Sequence, residues 1–170
     1  NTRFVFNRKT PLSADPKYNW VDIESSYLPS DILAAFLYAQ LEHREKIQEK
    51  REKIWKYYYK HLKGWADENN VRLSIIPEHC DQPYHLFYLL MPSLEKRTAF
   101  INYLKGNGIT AVFHYLPLHI SDWGKKFGGK EGDCLVTEDV SDMLARLPFF
   151  NNMTETELEI VVNTISAFKT

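Results

Sequence analysis

No stretch of this chain approaches the ~18 consecutive apolar residues that a membrane-spanning helix requires. Cysteine is nearly missing: the two present among 170 residues, Cys80 and Cys134, show no metal-ligand spacing and read as reduced thiols rather than a disulfide framework. An excess of one charge is missing too. Lys and Arg total 21 against 22 Asp and Glu, a formal net charge of −1, which gives no general attraction to nucleic acid or to an anionic membrane. Partners of those two kinds are therefore not expected. There is no G-x-S-x-G elbow, no glycine-rich phosphate fingerprint and no H-E-x-x-H pair. Internal repeats and low-complexity tracts are absent as well. The chain opens at Asn1, with neither a methionine nor a leader-like segment, so a fragment of a longer cytoplasmic protein is expected.

What is present suffices for a core: 44% of the residues are hydrophobic and 14% aromatic, far from a disordered composition. The dominant feature is Ser30 to Leu62. Apolar or long-stemmed residues recur there at Leu33, Leu37, Leu41, Arg44, Ile47, Arg51, Ile54, Tyr58 and Leu62. This three-four spacing predicts one continuous helix of about 48 Å at 1.5 Å per residue. Ser30 is its expected N-cap and Gly64 its expected stop. Its first third (Ile32, Leu33, Ala34, Ala35, Phe36, Leu37) is apolar nearly all round and should be buried. Its charged tail should be solvated except along one stripe. Glu42–Lys46, Glu49–Lys53 and Glu52–Lys56 fall at i,i+4 with Glu leading, which supports a solvated helix over a nucleic-acid face.

Residues 1–22 show neither helical nor strand period. Ser25, Ser26 and Tyr27 put three hydroxyls ahead of the helix, fit either to cap it or to hold an anion. Beyond the helix, Val71–Ile76 and the aromatic-rich Tyr84–Met91 predict strands. Ser93 should cap a helix to Lys105, ended by the glycines around Asn107. Ile109–Phe113 predicts a further strand, completing a β-α-β passage. A helix is expected from Thr137 to about Arg146. Thr154 and Glu157 form a capping box before a last helix through Phe168. A small sheet covered by helices is the economical packing, so the fold class is α+β.

Among residues that could carry chemistry, the six histidines do not assemble a zinc pattern. HYLPLH, residues 114–119, is the most site-like hexapeptide. Two imidazoles, a phenol and the rigid Pro117 just past a strand end make a hydrogen-bonding platform for sugar hydroxyls or phosphate oxygens, or else a packed loop. A lysine- and glycine-rich loop from Trp123 to Gly132 follows.

YLPSDILAAFLYAQL, HLFYLLM, GITAVFHYLPLH and LPFFNNMTETELEIVV, in this order and with these gaps, resemble the C-terminal part of DegT/DnrJ-type nucleotide-sugar aminotransferases. The resemblance covers nearly the whole chain. It implies the small domain of a fold type I, aspartate-aminotransferase-like enzyme, with residues 1–29 as a connecting segment and 30–170 as the small domain. It also implies a homodimer with shared active sites, using pyridoxal 5'-phosphate to move an amino group, typically from glutamate, to a keto-sugar nucleotide. The cofactor lysine would lie upstream, so no catalytic residue and no bound cofactor is expected in this fragment. In the family's G-x-N-x-R-M pattern an asparagine reaches the cofactor phosphate of the other subunit. This chain has Ser26 there, with Glu24, Leu28 and Pro29 at the other positions. The H-Y-x-P-x-H loop of the family points to His114, Tyr115 and His119 as substrate contacts. A dehydratase of the same family and a non-catalytic helical interaction domain remain as alternatives.

Overall fold

The computed structural model describes residues 29–169. The chain divides into two units, residues 1–44 and 45–170. The described part of the first unit contains one helix, α1 (Asp31–Glu42), capped by Ser30, whose Oγ accepts from the Leu33 amide at 3.3 Å.

The expected single long helix is two. His43 leaves helical geometry (φ −104, ψ 13), and α2 runs from Arg44 to Glu68. No proline or glycine marks this break; it falls where the sequence turns from apolar to charged. Gly64 does not stop the helix either. A mid-helix glycine costs only about 1 kcal/mol, whereas carrying on buries Trp65 and Ala66 and lets Trp65 Nε1 donate to the Phe168 carbonyl at 2.8 Å. The actual end is Asn69–Asn70. Asn70 takes a left-handed φ of 54, and the Val71 amide reaches back to the Ala66 carbonyl, a Schellman-type closure that asparagine tolerates.

Burial along these helices reverses the expectation. Every residue of α1 is exposed, Ile32 at 83% and Leu37 at 53%, while the charged-looking α2 supplies Ile54, Trp55, Tyr58, Leu62, Trp65 and Ala66 to the core. The stripe through Ile54, Tyr58 and Leu62 was legible from spacing. The wrong half was expected to be covered, because apolar density reports the need for a partner and not which surface supplies it.

Three short strands form an antiparallel sheet in the order β1 (Arg72–Leu73), β2 (Tyr88–Leu90), β3 (Leu144–Arg146), pairing Leu73 with Leu89 and Leu89 with Ala145. Phe87, Leu89 and Met91 alternate inward, the period-2 face of this segment. The strands expected over 71–76 and 84–91 are thus shorter. The strand expected over 109–113 is one bridge, Val112 to Arg146, antiparallel, so there is no β-α-β passage. Residues 144–146, expected as the end of a helix, are the third strand. Helix α3 (Leu94–Gly106), capped by Ser93, follows as expected in kind. The stretch expected as a loop from Trp123 instead begins with a short helix, α4 (Asp122–Lys126), capped by Ser121. Two further helices are again as expected in kind: α5 (Leu135–Met143), and α6 (Glu155–Ala167) with its Thr154–Glu157 capping box. One core joins α2, α3, α6 and the inner sheet face, with Tyr58, Phe87, Phe100 and Ile165 fully buried. The class is α+β, as expected.

Candidate functional site

The HYLPLH segment leaves the sheet from a fixed point. Val112 and Arg146 exchange two backbone hydrogen bonds, at 2.7 and 3.1 Å, which tie the loop's first residue to β3. Phe113 and His114 follow, both exposed. Tyr115 then adopts φ 51, a left-handed conformation rarely taken by a bulky side chain and most often kept where a site demands it. Its ring is 73% exposed and meets the His114 ring edge-on, with centroids 5.3 Å apart. The Arg146 guanidinium carbon lies 6.0 Å from the Tyr115 ring centroid. Pro117 is buried and stiffens the turn into a 3-10 segment, Leu118–Ile120.

His119 has a different setting from His114. Its Nε2 lies 2.7 Å from Glu138 Oε1, and the two side chains are only 16% and 20% exposed. Glu138 sits in the first turn of α5 and also accepts from the amides of Gly132 (3.0 and 3.1 Å) and Cys134 (3.3 Å). The His119 bond first, then the Gly132 amide, hold this carboxyl below its usual pKa of 4.5. With Nε2 committed to a carboxylate, a neutral His119 keeps Nδ1 as its remaining polar atom, an acceptor. The glycine-rich loop wraps the same residue. A side chain at Gly124 or Gly129 would collide with the backbone carbonyls of Leu118 and His119, so these glycines permit close backbone contact. Ser121 Oγ donates to the Leu118 carbonyl at 2.7 Å and accepts from the Gly124 amide at 3.0 Å, fixing the start of α4.

Of the residues singled out in sequence, His114 and Tyr115 are side by side and open to solvent, and His119 is held inside the adjoining loop. Ser26 lies outside the described residues. Among the described residues no group of three His, Cys, Asp or Glu is placed to hold a metal. Cys80 and Cys134 are both free and exposed. Glu138 and Arg146 were not foreseen. Nothing in the spacing links Glu138 to a histidine 19 positions earlier, and Arg146 was expected inside a helix.

As to a pyridoxal-type cofactor, the lysine that forms its Schiff base needs a desolvated or otherwise depressed amine. Every described lysine is exposed, and Lys56 is held protonated by its bond to Glu52. The described residues do not fit the reacting end of such a cofactor. What they offer is hydrogen-bond donors, aromatic faces and guanidinium groups, the means to bind and orient a polar anionic molecule.

Comparison with known proteins gives a consistent outcome. Residues 17–166 match the DegT/DnrJ/EryC1/StrS aminotransferase family. A protein of Methanocaldococcus jannaschii with no assigned role is 30% identical over 156 residues, covering 87% of this chain and 39% of that one. The dTDP-3-amino-3,6-dideoxy-alpha-D-galactopyranose transaminase of Aneurinibacillus thermoaerophilus is 24% identical over 143 residues, covering 81% of this chain and 36% of that one. The crystal structure of DesV from S. venezuelae, in complex with a ketimine intermediate, superposes with a TM-score of 0.71 at 22% identity, over 78% of this chain and 34% of DesV. The fold is that of part of a sugar aminotransferase chain, and the chain spans well under half the length of these relatives.

Proposed function

The chain belongs to the DegT/DnrJ/EryC1/StrS aminotransferase family, and from that premise we propose that it is the C-terminal small domain of a nucleotide-sugar aminotransferase. Residues 1–29 are read as the connection to a large domain and 30–170 as the small domain. The whole enzyme, a cytoplasmic homodimer with shared active sites, moves an amino group from glutamate to a 4-keto-6-deoxy sugar nucleotide. The lead-in KYNWVDIESSYLPSD favours the dTDP-4-keto-6-deoxyglucose aminotransferase of enterobacterial common antigen synthesis, a route to cell-surface polysaccharide. The observation that carries the reading is the family match through residues 17–166, which includes the entire loop from Phe113 to Gly132.

Pyridoxal 5'-phosphate, bound in the large domain, supplies the electron sink. This domain's own residues bind and position. His114 and the Tyr115 hydroxyl, both exposed, donate to sugar hydroxyls or phosphate oxygens without burying a charge. His119, clamped by Glu138, holds the loop in register beneath them. Ser26 is assigned to the cofactor phosphate of the partner subunit, where its hydroxyl replaces the family's asparagine amide.

The test is to supply the full-length enzyme with pyridoxal phosphate, glutamate and dTDP-4-keto-6-deoxyglucose. Formation of the 4-amino sugar nucleotide together with 2-oxoglutarate is expected, with none from the 170-residue chain alone. Loss of a sugar hydroxyl without amino transfer would return the reading to a dehydratase.

A further inference from the structure

Among the described residues, no carboxylate pairs with either of two arginines beside the His114–Tyr115 loop. Arg146 is rigid at its backbone: it pairs with Tyr88 in β2 on one side and exchanges two hydrogen bonds with Val112 on the other. Its half-buried side chain ends over the Tyr115 ring, at 6.0 Å, and its Nε is buried without a hydrogen-bond partner. Arg97, on α3, repeats the arrangement. Its guanidinium carbon lies 5.5 Å from the Phe113 centroid, the side chain is half-buried, and its Nε is buried and unpartnered. α3 packs against β3, and Phe113 and Tyr115 are two residues apart on the same loop. Among the described residues neither guanidinium is paired with a carboxylate.

A guanidinium taken partly out of water ordinarily finds a carboxylate or a phosphate, because ring stacking leaves its N–H groups unanswered. We propose that Arg146 and Arg97 form an anion clamp, beside His114 and Tyr115, for the diphosphate of a nucleotide sugar. The pair supplies two planar donor forks and two positive charges. A diphosphate supplies two charges and several acceptor oxygens, whereas a free carboxylate or a single phosphate ester answers only one fork well. The strained Tyr115 backbone turns its ring under the Arg146 guanidinium, which limits the rotamers that must be ordered on binding. The clamp rests on the nucleotide-sugar reading for the identity of its ligand, but its anion chemistry is testable without catalysis.

The experiment titrates the 170-residue chain with inorganic pyrophosphate and with thymidine diphosphate, following the arginine Nε–H signals by nitrogen-15 NMR. The Arg146 and Arg97 signals and the Tyr115 amide should shift together, and Arg146→Gln should weaken binding roughly tenfold or more. Arg146→Lys should weaken it as well, since the charge remains but the planar fork is lost. An unchanged thermal midpoint confirms that each variant is folded, and Arg97→Gln serves if Arg146→Gln is not. Shifts confined to the groove lined by Lys50 and Lys53 would overturn the clamp. So would equal affinity in the folded variants, or tighter binding of pyridoxal phosphate or glutamate at these same signals. Arginine-dependent pyrophosphate binding with no amino transfer by the full-length enzyme would keep the clamp and remove the aminotransferase reading. Normal amino transfer with unaltered KM in Arg146→Gln would do the reverse.

Discussion

His119 Nε2 and Glu138 Oε1 are 2.7 Å apart, and that single contact joins the end of the HYLPLH loop to the first turn of α5. It determines what acid does to this part of the fold. The Glu138 carboxyl is held below its usual value of 4.5, chiefly by His119 and then by the Gly132 and Cys134 amides. A carboxylate with a depressed folded-state pKa contributes stability that is fully present above the unfolded value and is lost as pH falls through the folded one. Glu138→Gln should therefore lower the thermal midpoint at neutral pH and flatten its decline below about pH 4.5 relative to the parent chain. Thermal unfolding of both proteins from neutral to acid pH checks this. Parallel curves would mean that the carboxylate contributes nothing to the acid transition.

The fold class, the caps at Ser30, Ser93 and Thr154, and the inner stripe of α2 were legible because each depends on neighbours within a few residues. Long-range facts were not. The third strand, Leu144–Arg146, exists because Tyr88–Leu90 offers it hydrogen bonds from far along the chain, and no local pattern in DMLARLPFF distinguishes it from a helix end. The site shows the same division. His114, Tyr115 and His119 stood out by residue type, but the differing roles of the two histidines depend on Glu138, and Arg146 meets the loop through its bridge to Val112 and its place over the Tyr115 ring.

Gly124 and Gly129 should resist even the smallest side chain. A Cβ on Gly124 would press into the Leu118 and His119 carbonyls and one on Gly129 into the His119 carbonyl, all backbone groups that cannot swing aside. Each alanine variant should cost about 1–3 kcal/mol by overpacking. Gly64→Ala, in open space within α2, should stabilise by about 0.5–1 kcal/mol instead. Urea unfolding of the three variants tests the contrast. Equal, small effects at all three positions would mean that the loop yields around His119.

The reversed burial of the helical region makes a sharper contrast. Leu62 is wholly buried and Leu37 is 53% exposed. Leu62→Ala should cost about 2–5 kcal/mol through lost transfer energy and a cavity. Leu37→Ala in the same 170-residue chain should stay within about 0.5 kcal/mol, as an exposed site does. Chemical denaturation of the two variants decides it. A large loss at Leu37 would show that its helix is covered in solution, for instance by a second molecule, and gel filtration across concentrations would then reveal the association.

The two histidines of the loop should separate on paired measurements. His114 is exposed and its ring meets that of Tyr115 edge-on, so His114→Ala removes a donor and leaves no cavity. In the full-length enzyme its kcat/KM for the nucleotide sugar should fall roughly tenfold, about 1.4 kcal/mol of transition-state binding, with the thermal midpoint unchanged. His119→Ala should behave otherwise. Its imidazole is largely covered, and removing it leaves the Glu138 carboxylate with only its amide partners while the turn above Gly124 and Gly129 loses its tie to α5. A midpoint lower by several degrees is expected, together with a fall in kcat/KM as Tyr115 and its neighbours lose their fixed geometry. His119→Gln, which can still donate to the carboxylate, should recover much of both. A full loss of activity in His119→Ala at unchanged stability, with no recovery by glutamine, would instead place the imidazole directly against the substrate.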